Sequence, residues 1–433
     1  MNHNKPRTVL AGPATALLAV TALTSAAFAQ QTTLTLFAGA DDQALLAYTE
    51  ALTAAFEEQN PDINIEIEIG PGGTERDNMV KSRLATNTMT DIFYYNSGSL
   101  FQAINPTETT VDLSNEPWQA NVLDSFKQTV TAPDGTVRGA PFGLAMAGGV
   151  LYNKKVYDEL GLSVPMTWDE FMANSAKVKE AGKTAVIQSY GTTWTSQLFV
   201  LADFYNVQAA EPDFAERYTN NQAKYATSEA AMAGFQHQED VFKAGYLNED
   251  FAAATLDDAL RMVAEGEGAH YPMLTFAIGN IGQNYPDQLN DVGFFGIPGK
   301  TADKNGATVW MPQGMYIAAS SPNVELAKRF VAFAASTEAC DIWKETSPVT
   351  GPFLIKGCEL PAEVPAGVAD MAVYFEADGR TAPALEFVSP IKGPNLENLT
   401  VEVGSGIRSA ADAAALYDED VRKQAQQLGL AGW

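Results

Sequence analysis

The sequence predicts an α/β fold that exceeds a single domain. Two stretches, 33–95 and 150–188, alternate short β-rich runs with amphipathic helices, which is the pattern of parallel α/β sheets. The chain has 433 residues, more than one ordinary domain contains, and 46% of them are apolar. This apolar fraction is sufficient for a hydrophobic core and argues against a mainly disordered chain.

The elements of the first stretch follow from local patterns. Residues 63–69 alternate isoleucine with polar side chains, as in a strand with one buried face. Asp41 and Asp42 precede a run with helical spacing and are candidate helix caps, and Thr74 is the expected N-cap of a second helix. The predicted order is a strand at 33–37, a helix at 43–59, a strand at 63–69, a helix at 74–88 and a strand at 92–95.

The rest of the chain continues in the same style. Thr167 and Glu170 form a capping box that opens a helix running to about Ala181. Strands are expected at 150–152, 184–188, 269–271, 292–297 and 309–319. Further helices are expected at 194–204, 228–243, 256–265, 323–335 and 410–428.

Residues 1–29 have the pattern of a cleavable signal peptide. Lys5 and Arg7 form a basic start, an apolar run covers 9–22, and Ala27-Phe28-Ala29 gives a small-x-small cleavage site. The apolar run is too short and too interrupted for a membrane span of about 20 residues. We therefore expect export of the chain and cleavage after Ala29.

The cysteine and histidine content bounds the chemistry. Cys340 and Cys358 lie 18 residues apart, and in an oxidising compartment they are expected to form a disulfide worth about 3 kcal/mol. The alternative is two buried thiols. His237 and His270 are the histidines that follow the leader, so the sequence offers no cluster of metal ligands and predicts no metal and no cofactor.

The charge balance excludes some partners. The chain has 27 Lys and Arg against 53 Asp and Glu, a formal charge of −26. Nucleic acids and anionic lipid surfaces both require a cationic face, so neither is expected as a partner.

No catalytic motif stands out. Gly182-Lys183-Thr184 resembles the end of a phosphate loop, but the position for its first glycine holds Lys177. The sequence has no G-x-G-x-x-G, H-E-x-x-H or G-x-S-x-G motif. A glycosidase carboxylate pair is not recognisable from spacing alone, so an exported carbohydrate-active enzyme stays open as an alternative.

A series of short motifs resembles one known family, the solute-binding proteins of sugar ABC transporters, of which maltose-binding protein is a familiar member. The motifs are APFG at 140–143, GVLYNKK at 149–155, PMTWDEF at 165–171, KEAGK at 179–183 and the strand–turn–helix segment at 315–328. Their shared order covers essentially the whole chain after the leader.

The resemblance implies a two-lobed periplasmic-binding-protein fold of the α/β class, with interleaved lobes and several hinge crossings. The first lobe would hold 30–140 and 292–350, and the second lobe 141–291 and 351–433. It also implies a monomeric periplasmic protein, not an enzyme, that captures a carbohydrate in the cleft between the lobes by hinge closure. The closed form would deliver the sugar to permease subunits in the inner membrane. A polyamine or a peptide on the same fold is the remaining alternative, and the scarcity of histidine disfavours iron.

Candidate ligand residues follow from sugar chemistry. A sugar needs aromatic planes for its C–H faces and planar polar groups for its hydroxyls, and in α/β lobes these groups follow the carboxyl ends of strands. Trp194 is the strongest stacking candidate, against the alternative of a Trp that starts a buried helix. The other candidates are Trp310, Asp41, Asp42, Tyr95, Asn96, Glu75, Arg76, Phe142, Met146, Tyr271, Phe276, Gly314 and Arg380.

Several candidates also have structural interpretations. Trp310 precedes a glycine turn and has a hinge role as its alternative, while Asp41 and Asp42 have helix capping as theirs. Trp168, Trp118 and Trp343 are interpreted as packing residues.

Overall fold

A computed structural model describes residues 1, 31–40, 42–376 and 379–433. Apart from Met1, the predicted signal peptide lies outside these described residues, as does the candidate Asp41. The strands are β1 Thr32–Gly39, β2 Ile63–Gly70, β3 Ile92–Tyr95, β4 Gly139–Phe142, β5 Met146–Asn153, β6 Thr184–Val186, β7 Gly268–Leu274, β8 Val292–Phe295, β9 Ala307–Trp310, β10 Gln313–Ile317 and β11 Thr381–Pro383.

Helices alternate with these strands along the chain. They are α1 Gln43–Gln59, α2 Gly73–Ala85, α3 Ser99–Gln102, α4 Pro106–Thr109, α5 Asp124–Thr129, α6 Lys154–Leu160, α7 Trp168–Glu180, α8 Leu198–Leu201, α9 Phe204–Ala210, α10 Phe214–Thr219, α11 Glu229–Lys243, α12 Leu256–Glu265, α13 Ala277–Asn284, α14 Val324–Ala334, α15 Thr337–Thr346, α16 Ala366–Glu376, α17 Leu385–Val388, α18 Leu396–Gly404 and α19 Ala410–Gln427. Three 3-10 helices cover Pro117–Asn121, Thr193–Gln197 and Pro286–Asp291.

The strands form two sheets, and each sheet is the centre of one lobe. The first sheet has the order β2-β1-β3-β10-β4, with β1 parallel to β2 and β3 and with β10 antiparallel to its neighbours. The second has the order β11-β9-β5-β7-β6, and β8 also pairs with β5. The predicted α/β fold with two lobes is therefore confirmed.

Local signals at the helix starts explain several boundaries. Asp42 caps α1 by accepting a hydrogen bond from the backbone N–H of Leu45 at 3.0 Å, and the predicted capping box of Thr167 and Glu170 opens α7. The prediction of Thr74 as the N-cap of α2 is wrong, because Gly72 occupies that position in an extended conformation.

The division of the chain between the sheets differs from the predicted boundaries. Residues 292–310 were expected in the first lobe, but β8 and β9 both pair with β5 of the second sheet. The predicted strand at 309–319 is in fact two strands on different sheets, β9 and β10, joined through Met311 and Pro312. Strand propensity shows which residues are extended but not which strand they pair with, so the sequence alone did not reveal this crossing.

In the described residues the chain passes between the lobes three times. The first crossing joins β4 to β5 and the second joins β9 to β10. The third follows α15, whose Trp343 is in the first core, and leads to α16, whose Met371 is in the second. Cys340 of α15 forms a disulfide with Cys358 just before this crossing, with a Cα–Cα distance of 6.1 Å.

None of the helices in the described ranges combines the length and the hydrophobicity needed to cross a membrane.

Candidate functional site

A cleft lies between the two lobes and encloses a cavity of about 200 Å³. The residues of the first two crossings line it, namely Gly143 and Leu144 of one and Met311 and Pro312 of the other. We call these crossing residues the floor of the cleft. Both lobes contribute side chains to the walls, so a molecule in the cavity would touch two bodies that are joined through the floor.

Six aromatic side chains contribute to the walls. Those lining the cavity are Phe142, Trp194, Phe276, Trp310, Trp343 and Phe387. Trp310 is the last residue of β9, directly before the second crossing, and it is 7% exposed. Flat aromatic faces in a partly closed cavity are suited to the C–H faces of a sugar ring.

Trp194 spans the cleft from the second lobe. It sits in the 3-10 helix Thr193–Gln197, is half-buried, and packs on Phe276 with a ring centroid distance of 6.0 Å. Gly73 of the first lobe lies against the same indole, since a Cβ atom on Gly73 would be 3.0 Å from its Cδ1. Gly73 also has a φ of +57°, a conformation that favours glycine. The missing side chain at this position therefore leaves room for the tryptophan.

Two polar atoms in the cleft lack a protein partner. Nε1 of Trp194 and Oε1 of Gln313 are buried, and neither has a hydrogen-bond partner among the described residues. The indole N–H of Trp194 is a donor, and the amide oxygen of Gln313 is an acceptor. A buried unpaired polar group costs about 1–3 kcal/mol, so a hydrogen-bond partner for either atom would be stabilising.

Charged side chains meet where α2 faces the C-terminal part of the second lobe. Arg76 and Asp77 come from α2, and Glu386, Lys392 and Glu397 come from the second lobe. Lys392 and Glu386 form an ion pair at 3.5 Å. Together with Thr74 and Trp194, these residues form what we call the polar corner.

The polar corner perturbs one titratable group and joins the lobes. Burial raises the pKa of the Asp77 carboxyl, against the opposing effect of Arg76, Lys81 and Lys392. The hydroxyl of Thr74 donates a hydrogen bond across the cleft to the buried carboxylate of Glu397.

The lobes touch on another flank as well. The side-chain carbonyl of Asn280 accepts a hydrogen bond from the backbone N–H of Ala44 at 3.2 Å, and Nε2 of Gln283 donates to the carbonyl of Thr346 at 2.8 Å. Hydrogen bonds therefore join the lobes on this flank as well as at the polar corner.

The structure brings most of the candidate ligand residues to the cavity. Those lining it are Asp42, Arg76, Asn96, Phe142, Met146, Trp194, Phe276 and Trp310. Asp42 also caps α1, so its capping interpretation is confirmed, while its role as a ligand residue stays a prediction. Asn96 directly follows β3, and its backbone carbonyl accepts a hydrogen bond from the hydroxyl of Tyr316 at 3.3 Å.

Other candidates do not line the cavity, each for a physical reason. Tyr271 is fully buried in β7, and its hydroxyl lies 2.7 Å from Oγ of Ser189. Tyr95 is fully buried in β3, and this burial raises the pKa of its hydroxyl well above the usual value. Arg380 donates to Asn305 at 2.8 and 2.9 Å and lies over the ring of Tyr374.

Glu75 and Gly314 complete the group outside the cavity. Glu75 is exposed on the outer side of α2. Gly314 lies within β10, where a side chain would collide with the hydroxyl of Tyr316.

Sequence reasoning missed several residues that line the cavity. Trp343 was interpreted as a packing residue; it does pack on Tyr48, but it also lines the cavity. Gln313 lies next to Gly314 in the predicted turn after Trp310, so its position in the sequence could have identified it as a candidate. Lys392 and Glu397 follow no local motif, and only the tertiary fold brings them to α2.

Within the described ranges, no group of three or more His, Cys, Asp or Glu side chains is arranged to hold a metal ion.

Comparisons with known proteins agree with this architecture. The family model of the bacterial extracellular solute-binding proteins matches residues 39–339, which is more than half of the chain. The chain is 23% identical over 291 residues to the melibiose/raffinose/stachyose-binding protein MelE of Bacillus subtilis, covering 66% of each chain. It is 24% identical over 315 residues to the multiple sugar-binding protein of Streptococcus mutans, covering 70% of each.

Solved structures show the same fold. The solute-binding protein RafE in complex with raffinose matches with a TM-score of 0.74 and 20% identity, covering 92% of this chain and 100% of that one. A chitin oligosaccharide binding protein matches with a TM-score of 0.77 and 18% identity, covering 91% of this chain and 100% of that one. At these identities the likeness establishes the two-lobed fold.

Proposed function

Because this chain belongs to the family of bacterial extracellular solute-binding proteins, we propose that it captures a carbohydrate for an ABC importer. The carbohydrate is an oligosaccharide or a glycoside held in the cleft between the lobes. The named relatives support this choice, since MelE is a melibiose/raffinose/stachyose-binding protein and RafE is described in complex with raffinose.

The cleft itself carries the proposal through one combination of groups. Tryptophan faces stand beside a buried N–H donor, on Trp194, and a buried amide oxygen, on Gln313, that lack protein partners. Sugar hydroxyls both donate and accept hydrogen bonds, so a saccharide satisfies both atoms while its C–H faces cover the rings. A purely cationic ligand such as a polyamine offers no acceptor to the indole N–H.

Hinge closure explains how such a protein retains its ligand. A saccharide that contacts Trp194 of the second lobe and Gln313 of the first is bound fully only when the lobes are together. Ligand therefore stabilises the closed state in proportion to its extra affinity for that state. The hydrogen bond from Thr74 to Glu397 adds a direct contact between the lobes to this equilibrium.

Membership of the family supports a proposed cellular role. The chain is exported, its signal peptide is removed after Ala29, and the monomeric protein delivers sugar in the periplasm to permease subunits of the inner membrane. Neither nucleic acid nor catalysis has a part in this role. N-terminal sequencing of the exported protein tests the cleavage, with Gln30 expected as the first residue.

A thermal-shift screen tests the function. The panel contains galactose, melibiose, raffinose, stachyose and chitin oligosaccharides, with spermidine and a tripeptide representing the other ligand classes. At least one saccharide should raise the melting temperature in a concentration-dependent way, while chromatography shows the sugar unchanged after prolonged incubation. Stabilisation by spermidine or the peptide alone would overturn the carbohydrate proposal, and turnover of a sugar would show an enzyme.

A further inference from the structure

Part of the cleft wall is aliphatic instead of aromatic or polar. Met146 of β5, Leu201 of α8 and Leu274 of β7 line the cavity, remain partly exposed, and pack against the core of the second lobe. We call these three side chains the aliphatic patch. They lie beside Trp310, which pairs with Met146 across β5 and β9.

The second sheet brings the patch together around a glycine. Gly148 pairs with Leu274, and a Cβ atom on Gly148 would lie 3.0 Å from the Cβ of Ala202 and 3.1 Å from the Cδ2 of Leu274. It would also collide with the ring of Trp310. The absence of a side chain at this position lets α8, Leu274 and Trp310 converge on one face. The patch is therefore formed by two strands and one helix.

An aliphatic surface is poorly matched to a sugar ring. Leucine and methionine have no flat π face for C–H groups and no strong acceptor for hydroxyls. A hydroxyl pressed against them loses its hydrogen bonds to water, at a cost of about 1–3 kcal/mol. Hydrocarbon, in contrast, gains about 0.8 kcal/mol for each methylene removed from water. The patch therefore favours an apolar part of a ligand.

The polar corner and the aliphatic patch are joined by one helical segment, residues 194–201. Trp194 opens the segment in the polar corner, and Leu201 ends it in the aliphatic patch. The seven steps between them, three in the 3-10 helix and four leading through α8, give a rise of about 12 Å along the helix axis. This separation accommodates one sugar ring at the corner and a substituent of several carbon atoms on the patch.

We propose that the ligand is a glycoside with an apolar aglycone. The sugar ring lies at Trp194 and the polar corner, and the aglycone lies on the aliphatic patch beside Trp310. This inference rests on the proposed carbohydrate function and narrows it from saccharides in general to amphipathic glycosides.

Calorimetric titration with a matched series of probes tests the inference. Methyl, butyl and phenyl β-D-galactopyranosides and the corresponding glucosides differ only in their aglycone and sugar. From methyl to butyl, the affinity should rise about fourfold for each added methylene, with a stoichiometry of one. Equal affinities for the methyl, butyl and phenyl compounds would overturn the aglycone inference and leave the carbohydrate function intact. Failure of the glycosides and of every free sugar to bind would instead overturn the proposed function.

Variants locate the aglycone. Leu274→Asn and Leu201→Asn should each reduce the ratio of butyl to methyl affinity toward one, and thermal unfolding verifies that each variant is folded. Ile407→Asn is the matched control, because Ile407 is 72% exposed and lies outside the cavity, so its ratio should stay that of the parent protein. A ratio that stays high in both leucine variants would show that the aglycone lies elsewhere and would overturn the assignment to the patch.

Discussion

Replacing Trp194 tests the cleft most directly. Trp194→Ala removes the indole ring that reaches from the second lobe to Gly73 of the first, together with its buried N–H group. The ring is half-buried and borders the cavity, so its removal should weaken saccharide binding far more than it lowers the melting temperature of the ligand-free protein.

The expected size follows from two separable contributions of the indole. Stacking contributes about 0.5–1.5 kcal/mol beyond area burial, and one hydrogen bond to a hydroxyl contributes about 0.5–1.5 kcal/mol. Together they correspond to a Kd increase of roughly 5- to 150-fold. Trp194→Phe retains an aromatic face but loses the N–H, so its Kd should rise only about 2- to 13-fold.

Calorimetric titration with the tightest-binding saccharide of the screen measures both values. Tyr271→Phe is the matched control, because the hydroxyl of Tyr271 bonds Ser189 in the core and does not face the cavity. This control should keep its Kd and lose about 1 kcal/mol of unfolding free energy. An unchanged Kd in Trp194→Ala, accompanied by a large loss of ligand-free stability, would refute the reasoning and assign the tryptophan to the core.

Three further outcomes are expected. Thr74→Val removes the hydrogen bond to Glu397 between the lobes. The rate constant for saccharide dissociation, measured by stopped flow, should therefore increase about tenfold. An unchanged rate constant would show that this bond does not restrain opening of the lobes. Burial lowers the pKa of His270 from 6.5 to about 4, so the neutral ring stabilises the fold above pH 6.5 and this stability is lost as the pH falls toward 4. Burial also lowers the pKa of His237, to about 3, so urea denaturation should show a combined loss of about 2.8 kcal/mol per pH unit from the two histidines. A His270→Gln variant should reduce this slope by about 1.4 kcal/mol per pH unit, and an unchanged slope would contradict the lowered pKa. Reduction of the Cys340–Cys358 disulfide should lower the free energy of unfolding by about 3 kcal/mol, and equal stability of the oxidised and reduced forms in denaturant would contradict this value.

The parts of the fold that sequence predicts well depend on nearby residues. The helix expected at 43–59 has those bounds in the structure, because Asp42 caps it three residues upstream of its hydrogen-bond partner Leu45. The capping box of Thr167 and Glu170 is equally local. Such signals involve groups within one helical turn, so no tertiary information is needed to interpret them.

Strand pairing was not predicted, because it depends on residues that are distant in the sequence. The run at 309–319 was predicted as one strand, yet β9 pairs with β5 and β11 while β10 pairs with β3 and β4. Propensity is the same on both sides of Pro312, and only the partners differ. For the same reason, residues 292–310 were predicted in the first lobe, although β8 and β9 pair with β5 of the second sheet.

The candidate site shows the same division. Trp194 and Trp310 could be identified because tryptophans next to strands or glycine turns are expected at cleft edges. Glu397 could not, because it is 323 residues from its partner Thr74 and belongs to an ordinary helix. Tyr271 and Phe276 flank one strand end, but Tyr271 belongs to the strand and its side chain is buried, while Phe276 follows the strand and reaches the cavity.

The position of the second crossing has a consequence for the order of binding. Trp310 and Gln313 are three residues apart but belong to different lobes, so both lie close to the hinge and move little relative to each other when the lobes open. Gly73 and Trp194 are in contact across the cleft, but neither is close in sequence to a crossing between the lobes. Opening at the hinge should therefore separate them. The floor of the cleft is therefore largely formed in the open protein, whereas the polar corner is assembled by closure. We therefore expect a ligand that first contacts the floor to gain the corner's hydrogen bonds only as the lobes close, and this difference in affinity would drive the proposed closure.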